Sequence, residues 1–233
     1  EIAIMKAAIN RKWKRASQVM DNIKSHARLK ENVRKGTIKL EEFDKLVEEL
    51  PDYMKLMVRI SHFTGARPGE IRELRWEQVD FKECRLNFDW SDTKEAYDRS
   101  IKISDDLMVE LQALWKMTDK NDKGVPICPW VFQGPYRRNK LITEKTYYDA
   151  WNNACERLGP PFVKLDKLTK SGKPKTTFSP HDLRRTRITM AINSKENPKT
   201  IMLQTGHKTM AVFQRYNIVS KEDQDELVKR QKE

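Results

Sequence analysis

The sequence predicts an α+β fold that is mostly α-helical and contains a small antiparallel β-sheet. Two observations support this class. Apolar residues recur at steps of three and four through most of the chain, which is the period of an amphipathic helix. Between Val79 and Ile103 the period changes to two, which is the period of paired strands. The longest apolar runs are a few residues long, so we expect no segment to span a membrane.

The first half of the chain divides into predicted elements at clear signals. Residues 1–24 form an amphipathic helix with a basic opposite side, and residues 25–37 lack a clear period and are predicted as a linker. The body begins at residue 38 with one helix, and a second helix follows Pro51. Gly65 ends that second helix as a left-handed cap, and a short helix then starts at Pro68.

The second half returns to helix after the predicted strands. Helices are expected through Leu107–Trp115, through Tyr147–Leu158, and from Pro180, Pro198 and near Met210. Residues 160–177 are rich in lysine and are predicted as an exposed basic loop or ribbon. The lysines of this stretch are either a DNA-contacting insertion or part of a solvated loop: Lys164, Lys167, Lys170, Lys173 and Lys175.

The composition indicates what kind of partner the chain binds and in which cellular compartment it works. The chain of 233 residues has 46 Lys and Arg against 34 Asp and Glu, a net charge of +12 that favours a polyanionic partner. Its three cysteines lie at positions 84, 128 and 155, without metal-ligand spacing or a plausible disulfide framework. We therefore expect a reducing, cytoplasmic environment.

Residue types that carry chemistry fall in four short places. The first is the turn around Arg67, where a guanidinium and the N-terminus of a helix both favour a phosphate. The second is Lys94, between two strands. The third pairs His181 and Arg184 three residues apart on one helix face, although a core histidine that caps the helix is equally consistent with the pattern. The fourth is His207, followed nine residues later by Tyr216.

Other chemistries have weaker support in the sequence. A metal site from His181, Asp182 and His207 is disfavoured because the first two residues face different ways and nearby arginines would oppose a cation. The chain has no Gly-x-Ser-x-Gly elbow, no Walker loop and no dinucleotide fingerprint.

Taken in order, these motifs resemble the tyrosine recombinase (phage integrase) family over residues 38–220. "TGARPGEIRELRW" looks like the first arginine box of the family, and "SPHDLRRT" looks like its His-x-x-Arg box. "TGHKTMAVFQRY" looks like the final box that ends in tyrosine. "DTKEAYDRSIKIS" looks like the hairpin with the mobile lysine, and "IKLEEFDKLVEEL" resembles the opening of the catalytic domain.

The resemblance assigns a role to each matching position. Tyr216 matches the nucleophile, and Arg67 and Arg184 match the pair that clamps the scissile phosphate. His181 and His207 match the remaining phosphate-contacting and proton-handling positions. Lys94 matches the general acid, with Lys102 as the fallback, and Glu70 matches the acidic residue that orients Arg67. The chain departs from the pattern at Thr205, where the family usually has Leu, and we expect this change to affect packing alone.

The resemblance also implies a reaction, partners and a domain plan. DNA strands would be cleaved and rejoined through a 3′-phosphotyrosyl intermediate, with no metal, ATP or other cofactor. The implied partner is double-stranded DNA, bound by a homo-tetramer, as in an integrase of a phage or integrative element. Residues 1–24 would be the end of an N-terminal core-binding domain and 25–37 a linker, with the catalytic domain at 38–220 and a tail at 221–233.

Two further classes remain open. A non-catalytic or regulatory DNA-binding protein could keep the same fold, although all six catalytic positions hold competent residues. A metal-dependent nuclease would instead lose its activity in a chelator and would leave DNA ends with no protein attached.

Overall fold

A computed structural model of the protein describes residues 37–88, 99–135, 137–207, 209–210 and 213. The chain divides into two units, residues 1–35 and 36–233, and all of the described residues belong to the second. The predicted helix at 1–24, nearly all of the predicted linker and the predicted tail at 221–233 lie outside the described residues.

The described residues form seven α-helices, a short 3₁₀-helix (Trp76–Gln78) and seven strands, in agreement with the mostly helical class predicted from the sequence. The helices are α1 (Leu40–Glu49), α2 (Asp52–Thr64), α3 (Pro68–Arg72), α4 (Asp105–Met117), α5 (Glu144–Leu158), α6 (Pro180–Asn193) and α7 (Pro198–Thr205). The strands are β1 (Val79–Asp80), β2 (Arg85–Phe88), β3 (Arg99–Lys102), β4 (Gln133–Gly134), β5 (Arg137–Leu141), β6 (Val163–Leu168) and β7 (Pro174–Thr176).

Helix ends lie where their local chemistry requires. Pro51 precedes α2, and Gly65 ends it in the left-handed conformation with φ of 64°, as predicted. Pro180 and Pro198 occupy the first turns of α6 and α7, where a missing N–H costs nothing. Gly206 closes α7 with φ of 71°. The turns at Gly65 and Gly206 form part of the candidate site.

The predicted antiparallel sheet is present as the three strands β1, β2 and β3. Leu86 pairs with Ile101 in this sheet, and both are buried. The stretch predicted as a basic loop or ribbon forms the hairpin β6–β7, in which Lys164 lies opposite Lys175. A third hairpin, β4–β5, was not predicted, because its strands Gln133–Gly134 and Arg137–Leu141 lack an alternation of apolar and polar residues.

Two apolar clusters share one helix, α6. The larger cluster joins α1, α2, α4, α5 and the three-stranded sheet, with Trp151 and Tyr147 fully buried among them. The smaller cluster consists of Ile188, Ala191, Ile201 and Phe213. Leu183 of α6 belongs to the larger cluster and Ile188 to the smaller one, so this helix is packed from two directions. Such packing restrains any side chain that α6 contributes to the site.

The start of the described chain is tied directly to α6. The backbone N–H of Ile38 donates a 3.0 Å hydrogen bond to Thr186 Oγ1, and that hydroxyl donates to the carbonyl of Asp182. Among the residues that the structure describes, no helix is long and apolar enough to cross a membrane.

Candidate active site

Arg184 lies at the centre of the candidate site and is 95 % buried, with 5 % of its surface exposed. Its Nη1 donates a 2.9 Å hydrogen bond to the carbonyl of Gly65, at the end of α2. The same nitrogen donates to the carbonyl of Thr205, at the end of α7. Its Nη2 lies 3.0 Å from Nε2 of His207. One guanidinium therefore joins the two glycine-capped turns and a histidine.

Arg67 lies at the N-cap of α3, and Glu70 holds it from one turn further on. The Arg67 backbone N–H donates to Glu70 Oε2 at 2.8 Å, and its Nη1 lies 3.1 Å from Oε1 of the same carboxylate. The side chain of Arg67 is 27 % exposed, whereas that of Glu70 is 9 % exposed. The buried carboxylate thus orients a cation that still reaches the surface.

Arg99 is a buried cation that the sequence analysis did not assign to the site. Its side chain is 2 % exposed, and its Nη2 donates to Glu70 Oε2. Its guanidinium also lies 4.7 Å from the centroid of the Phe88 ring. Burial alone would raise the pKa of Glu70, but the Arg99 charge and the Arg67 contacts outweigh burial and hold that pKa below its usual value. Glu70 therefore stays ionised between two arginines.

Gly206 is the third partner of Arg99. A Cβ added to Gly206 would collide with the Arg99 guanidinium, and its φ of 71° already disfavours any other residue. The absence of a side chain at this turn lets β3 approach the end of α7. Three motifs far apart in the sequence consequently meet around Glu70, Arg99 and Gly206.

His207 is a neutral, buried imidazole in this environment. It is 8 % exposed, and its Nδ1 lies 2.7 Å from Thr205 Oγ1. Burial lowers the pKa of His207 to about 3, with further lowering by the charges of Arg184, Arg67 and Arg99. Those three charges also show that the site is strongly positive, which suits a bound anion.

The lowered pKa of His207 predicts that the free energy of unfolding depends on pH. A His207→Gln variant should show a weaker dependence on pH. As the pH falls from 6.5 towards 3, the unfolded chain binds a proton on this histidine that the folded chain does not hold. The free energy of unfolding should therefore decrease across that window, and more steeply in the parent chain than in the variant. Urea unfolding at about pH 7 and about pH 4 measures the difference. His62 and Glu70 are present in both proteins, so their contributions to the pH dependence cancel in the comparison. Equal decreases in the free energy of unfolding of the two proteins would contradict the prediction.

His181 lies at the first turn of α6 and is exposed, so it is not a core histidine. It lines a cleft of about 530 Å³ together with Arg67. Arg72 and Arg75 line the same cleft, and the Arg75 guanidinium lies 5.0 Å from the Trp130 ring. Glu70, Glu73 and Glu144 also line this cleft, so its three arginines and three carboxylates balance in formal charge.

Two sequence-predicted site residues, Lys94 and Tyr216, lie outside the described residues, so their roles remain predictions. The fallback Lys102 is exposed at the end of β3. Within the described ranges, no group of three His, Cys, Asp or Glu side chains could hold a metal ion.

The five lysines predicted to contact DNA belong to the β6–β7 ribbon. They are Lys164, Lys167, Lys170, Lys173 and Lys175, and all are exposed. Lys173 also lies 2.9 Å from Glu156 of α5, which connects the turn of the ribbon to that helix. The arrangement presents a strip of positive charge to solvent.

Arg99 and Thr205 are the two site residues that sequence reasoning missed. Arg99 alternates with Ile101 and Ile103, and this alternation already placed it on the buried face of β3. A buried arginine requires an acidic partner, so this signal could have been used. Thr205 was expected to affect packing alone, but its hydroxyl contacts His207.

The model of the phage integrase family matches residues 37–223, and the chain belongs to this family of tyrosine recombinases. Tyrosine recombinase XerA of Pyrococcus furiosus is 26 % identical over 194 residues. That match covers 82 % of this chain and 59 % of the relative. The chain therefore spans less than two thirds of the length of this relative.

Solved structures show the same fold. A crystal structure of XerA recombinase superposes with a TM-score of 0.61 at 20 % identity, covering 85 % of this chain and 65 % of the other. The structure of the Tn1549 transposon integrase in complex with transposon right end DNA gives a TM-score of 0.60 at 15 % identity, and the match covers 84 % of this chain and 65 % of the other. The catalytic domain of bacteriophage HP1 integrase gives a TM-score of 0.51 at 23 % identity, and the match covers 83 % of this chain and 94 % of the other.

Proposed function

We propose that the chain is the catalytic part of a site-specific DNA recombinase from a phage or integrative element. It would cleave and rejoin DNA strands through a 3′-phosphotyrosyl intermediate, without metal or ATP. The observation that carries the proposal is the meeting of Arg67, Arg184 and His207 in one positive, largely buried site.

The two arginines suit the charge that develops during phosphoryl transfer. The transition state at a phosphodiester spreads negative charge over its non-bridging oxygens, and fixed guanidinium groups stabilise it most where water is excluded. Glu70 fixes Arg67, and the Gly65 and Thr205 carbonyls fix Arg184. Neither arginine would need to reorganise when the phosphate binds.

The remaining roles follow the family pattern and complete a balanced reaction. The phenolic oxygen of Tyr216 would attack phosphorus while the bond from phosphorus to the 5′ oxygen breaks. Lys94 would give a proton to that leaving oxygen. His181 and His207 would contact the phosphate and handle the proton released by the phenol. Attack by a second 5′ hydroxyl then reverses the step and rejoins the strands.

Covalent trapping tests this proposal. The protein is mixed in EDTA with nicked duplexes of varied sequence, so that cleavage near the nick releases a short piece that cannot return. We expect a protein–DNA band on a denaturing gel that is absent from the Tyr216→Phe variant. DNA cleavage that requires a divalent metal and leaves no attached protein would instead indicate a nuclease.

A non-catalytic DNA-binding protein is the alternative function. It predicts that the parent chain and the Tyr216→Phe variant bind DNA equally and that neither forms a covalent band. Binding of the nicked duplexes by the parent chain with no covalent band would favour this alternative.

The lysine ribbon is proposed to contact the DNA backbone. A triple variant, Lys164→Gln with Lys167→Gln and Lys175→Gln, should weaken binding at all sequences alike. If all three contact phosphates, the slope of log K against log salt should decrease by about 2 to 3. A control with the same charge change outside the ribbon, at Lys39, Lys116 and Lys123, should leave that slope near its parent value.

We further propose that the working form is a homo-tetramer on two DNA duplexes in the cytoplasm of a bacterial cell or an infected host. The compartment is supported by the absence of disulfides among the described residues, where Cys84, Cys128 and Cys155 are free thiols. Sedimentation of the chain with and without DNA tests the assembly.

A further inference from the structure

Thr205 is the last residue of α7 and is fully buried beside two candidate catalytic side chains. Its backbone carbonyl accepts a hydrogen bond from Nη1 of Arg184. Its side-chain hydroxyl lies 2.7 Å from Nδ1 of His207. The two polar groups of one residue therefore touch two of the side chains that the proposed reaction places around the phosphate.

The direction of the Thr205–His207 hydrogen bond follows from the number of hydrogens available. A threonine hydroxyl has one hydrogen to donate. Thr205 Oγ1 donates it to the carbonyl of Ile201, one turn back on α7, at 2.6 Å. The hydroxyl can therefore only accept from His207, so the proton of the ring must be on Nδ1.

Arg184 agrees with this tautomer but does not impose it, because its Nη2 lies within hydrogen-bond distance of both ring nitrogens. A guanidinium donates hydrogen bonds and accepts none. Its Nη2 lies 3.0 Å from Nε2 and 3.3 Å from Nδ1 of His207, so it faces the ring closely. A doubly protonated imidazolium in this position would oppose the guanidinium charge. The neutral ring with its proton on Nδ1 satisfies both neighbours.

We propose that Thr205 is a positioning residue that fixes the tautomer of His207, with the proton on Nδ1 and with Nε2 as the acceptor that faces Arg184. The catalytic meaning of this inference rests on the proposed function, but the tautomer itself does not. In the proposed reaction, Nε2 would accept a hydrogen bond from Nη2 of Arg184 and so hold the guanidinium towards the phosphate. The proton that the attacking hydroxyl releases would then pass to His181.

Nuclear magnetic resonance of the imidazole ring tests the tautomer directly. The chain has four histidines, so a His207→Gln variant identifies the signals of this ring. In the parent chain near neutral pH, we expect ¹⁵N shifts that show a protonated Nδ1 and an unprotonated Nε2. A ring protonated on Nε2 would overturn the proposal, whatever the activity of the protein.

Two substitutions at Thr205 separate the hydroxyl from the packing. Thr205→Val keeps the shape and removes the acceptor, so the ring should lose its preference for a proton on Nδ1. Thr205→Ser keeps the hydroxyl and should retain the parent tautomer. A valine variant that folds and still holds the proton on Nδ1 would overturn the proposal, as would a serine variant that does not. If the valine variant fails to fold, the parent and serine spectra still decide.

Cleavage of the nicked duplexes gives the functional readout. We expect Thr205→Val to lower the cleavage rate about tenfold, as for loss of one buried hydrogen bond, and to shift the pH profile of the rate. Thr205→Ser should restore both. If the spectra agree with the proposal but the parent chain never cleaves DNA, the proposed function fails while the tautomer assignment stands. A valine variant with the parent rate and pH profile would overturn the positioning role.

Discussion

Replacing Arg184 with alanine is expected to abolish DNA cleavage, with a loss of about 10²–10³-fold or more in rate. The guanidinium is the buried centre of the site, and it joins the Gly65 and Thr205 carbonyls to His207. Its removal leaves those buried acceptors without a donor, at about 1–3 kcal/mol for each. We therefore expect loss of stability together with loss of cleavage.

A second variant, Arg184→Lys, separates the two effects. Lysine keeps the charge but lacks the planar fork that bonds two carbonyls and a ring simultaneously. We expect a smaller decrease in the free energy of unfolding than for alanine, with a cleavage loss that remains large. Urea unfolding and single-turnover cleavage of the same preparations measure the two quantities. A parent-like cleavage rate in either folded variant would contradict the role of Arg184 as a phosphate clamp.

Replacing Arg99 with methionine is expected to lower the free energy of unfolding by about 3–5 kcal/mol. The substitution removes one of the two cations beside the buried Glu70 carboxylate and leaves its negative charge undercompensated. The pKa of Glu70 should rise as a result, because Arg99 contributes the largest lowering effect on it. Stability should therefore also become less dependent on pH in the acid range, where the parent loses this contribution as Glu70 is protonated.

The double variant with Glu70→Gln and Arg99→Met is the critical comparison. If the loss arises from an unpaired buried charge, neutralising Glu70 should recover part of it, and the two changes should be far from additive. Arg85→Met is a matched control, since Arg85 lies on the neighbouring strand β2 and bonds to Ser100 in an exposed setting. The control should change the free energy of unfolding by less than about 1 kcal/mol. Additive losses in the cycle would contradict the coupling between Glu70 and Arg99.

The helical part of the fold could be predicted from the sequence because its signals are local. Gly65 follows an amphipathic run, and Pro180 begins another, so the ends of α2 and the start of α6 depend on residues next to them in the chain. The sheet was predictable for the same reason, since Leu86 and Ile101 belong to alternating runs. The hairpin β4–β5 has no such pattern and is stabilised by its surroundings, which the sequence does not display.

The candidate site was predictable only as a list of positions. Family resemblance named Arg67, Arg184 and His207, and the contact of Glu70 with Arg67, but not the contacts that Arg99 and Thr205 make in the site. The partner of Glu70 on β3 depends on a strand that lies 29 residues away in sequence. Likewise, the effect of Thr205 on His207 depends on where α7 ends and on which acceptor takes the hydroxyl hydrogen. These are properties of the folded arrangement, and no local pattern encodes them.

The hydrogen bond from Ile38 to Thr186 has a mechanical consequence. It attaches the start of the described chain to α6, at a residue two positions beyond Arg184. A pull on the chain at residue 37 would therefore be passed to α6 through this hydrogen bond as well as to α1 along the backbone. Tension on the preceding segment would in this way reach the helix that carries Arg184.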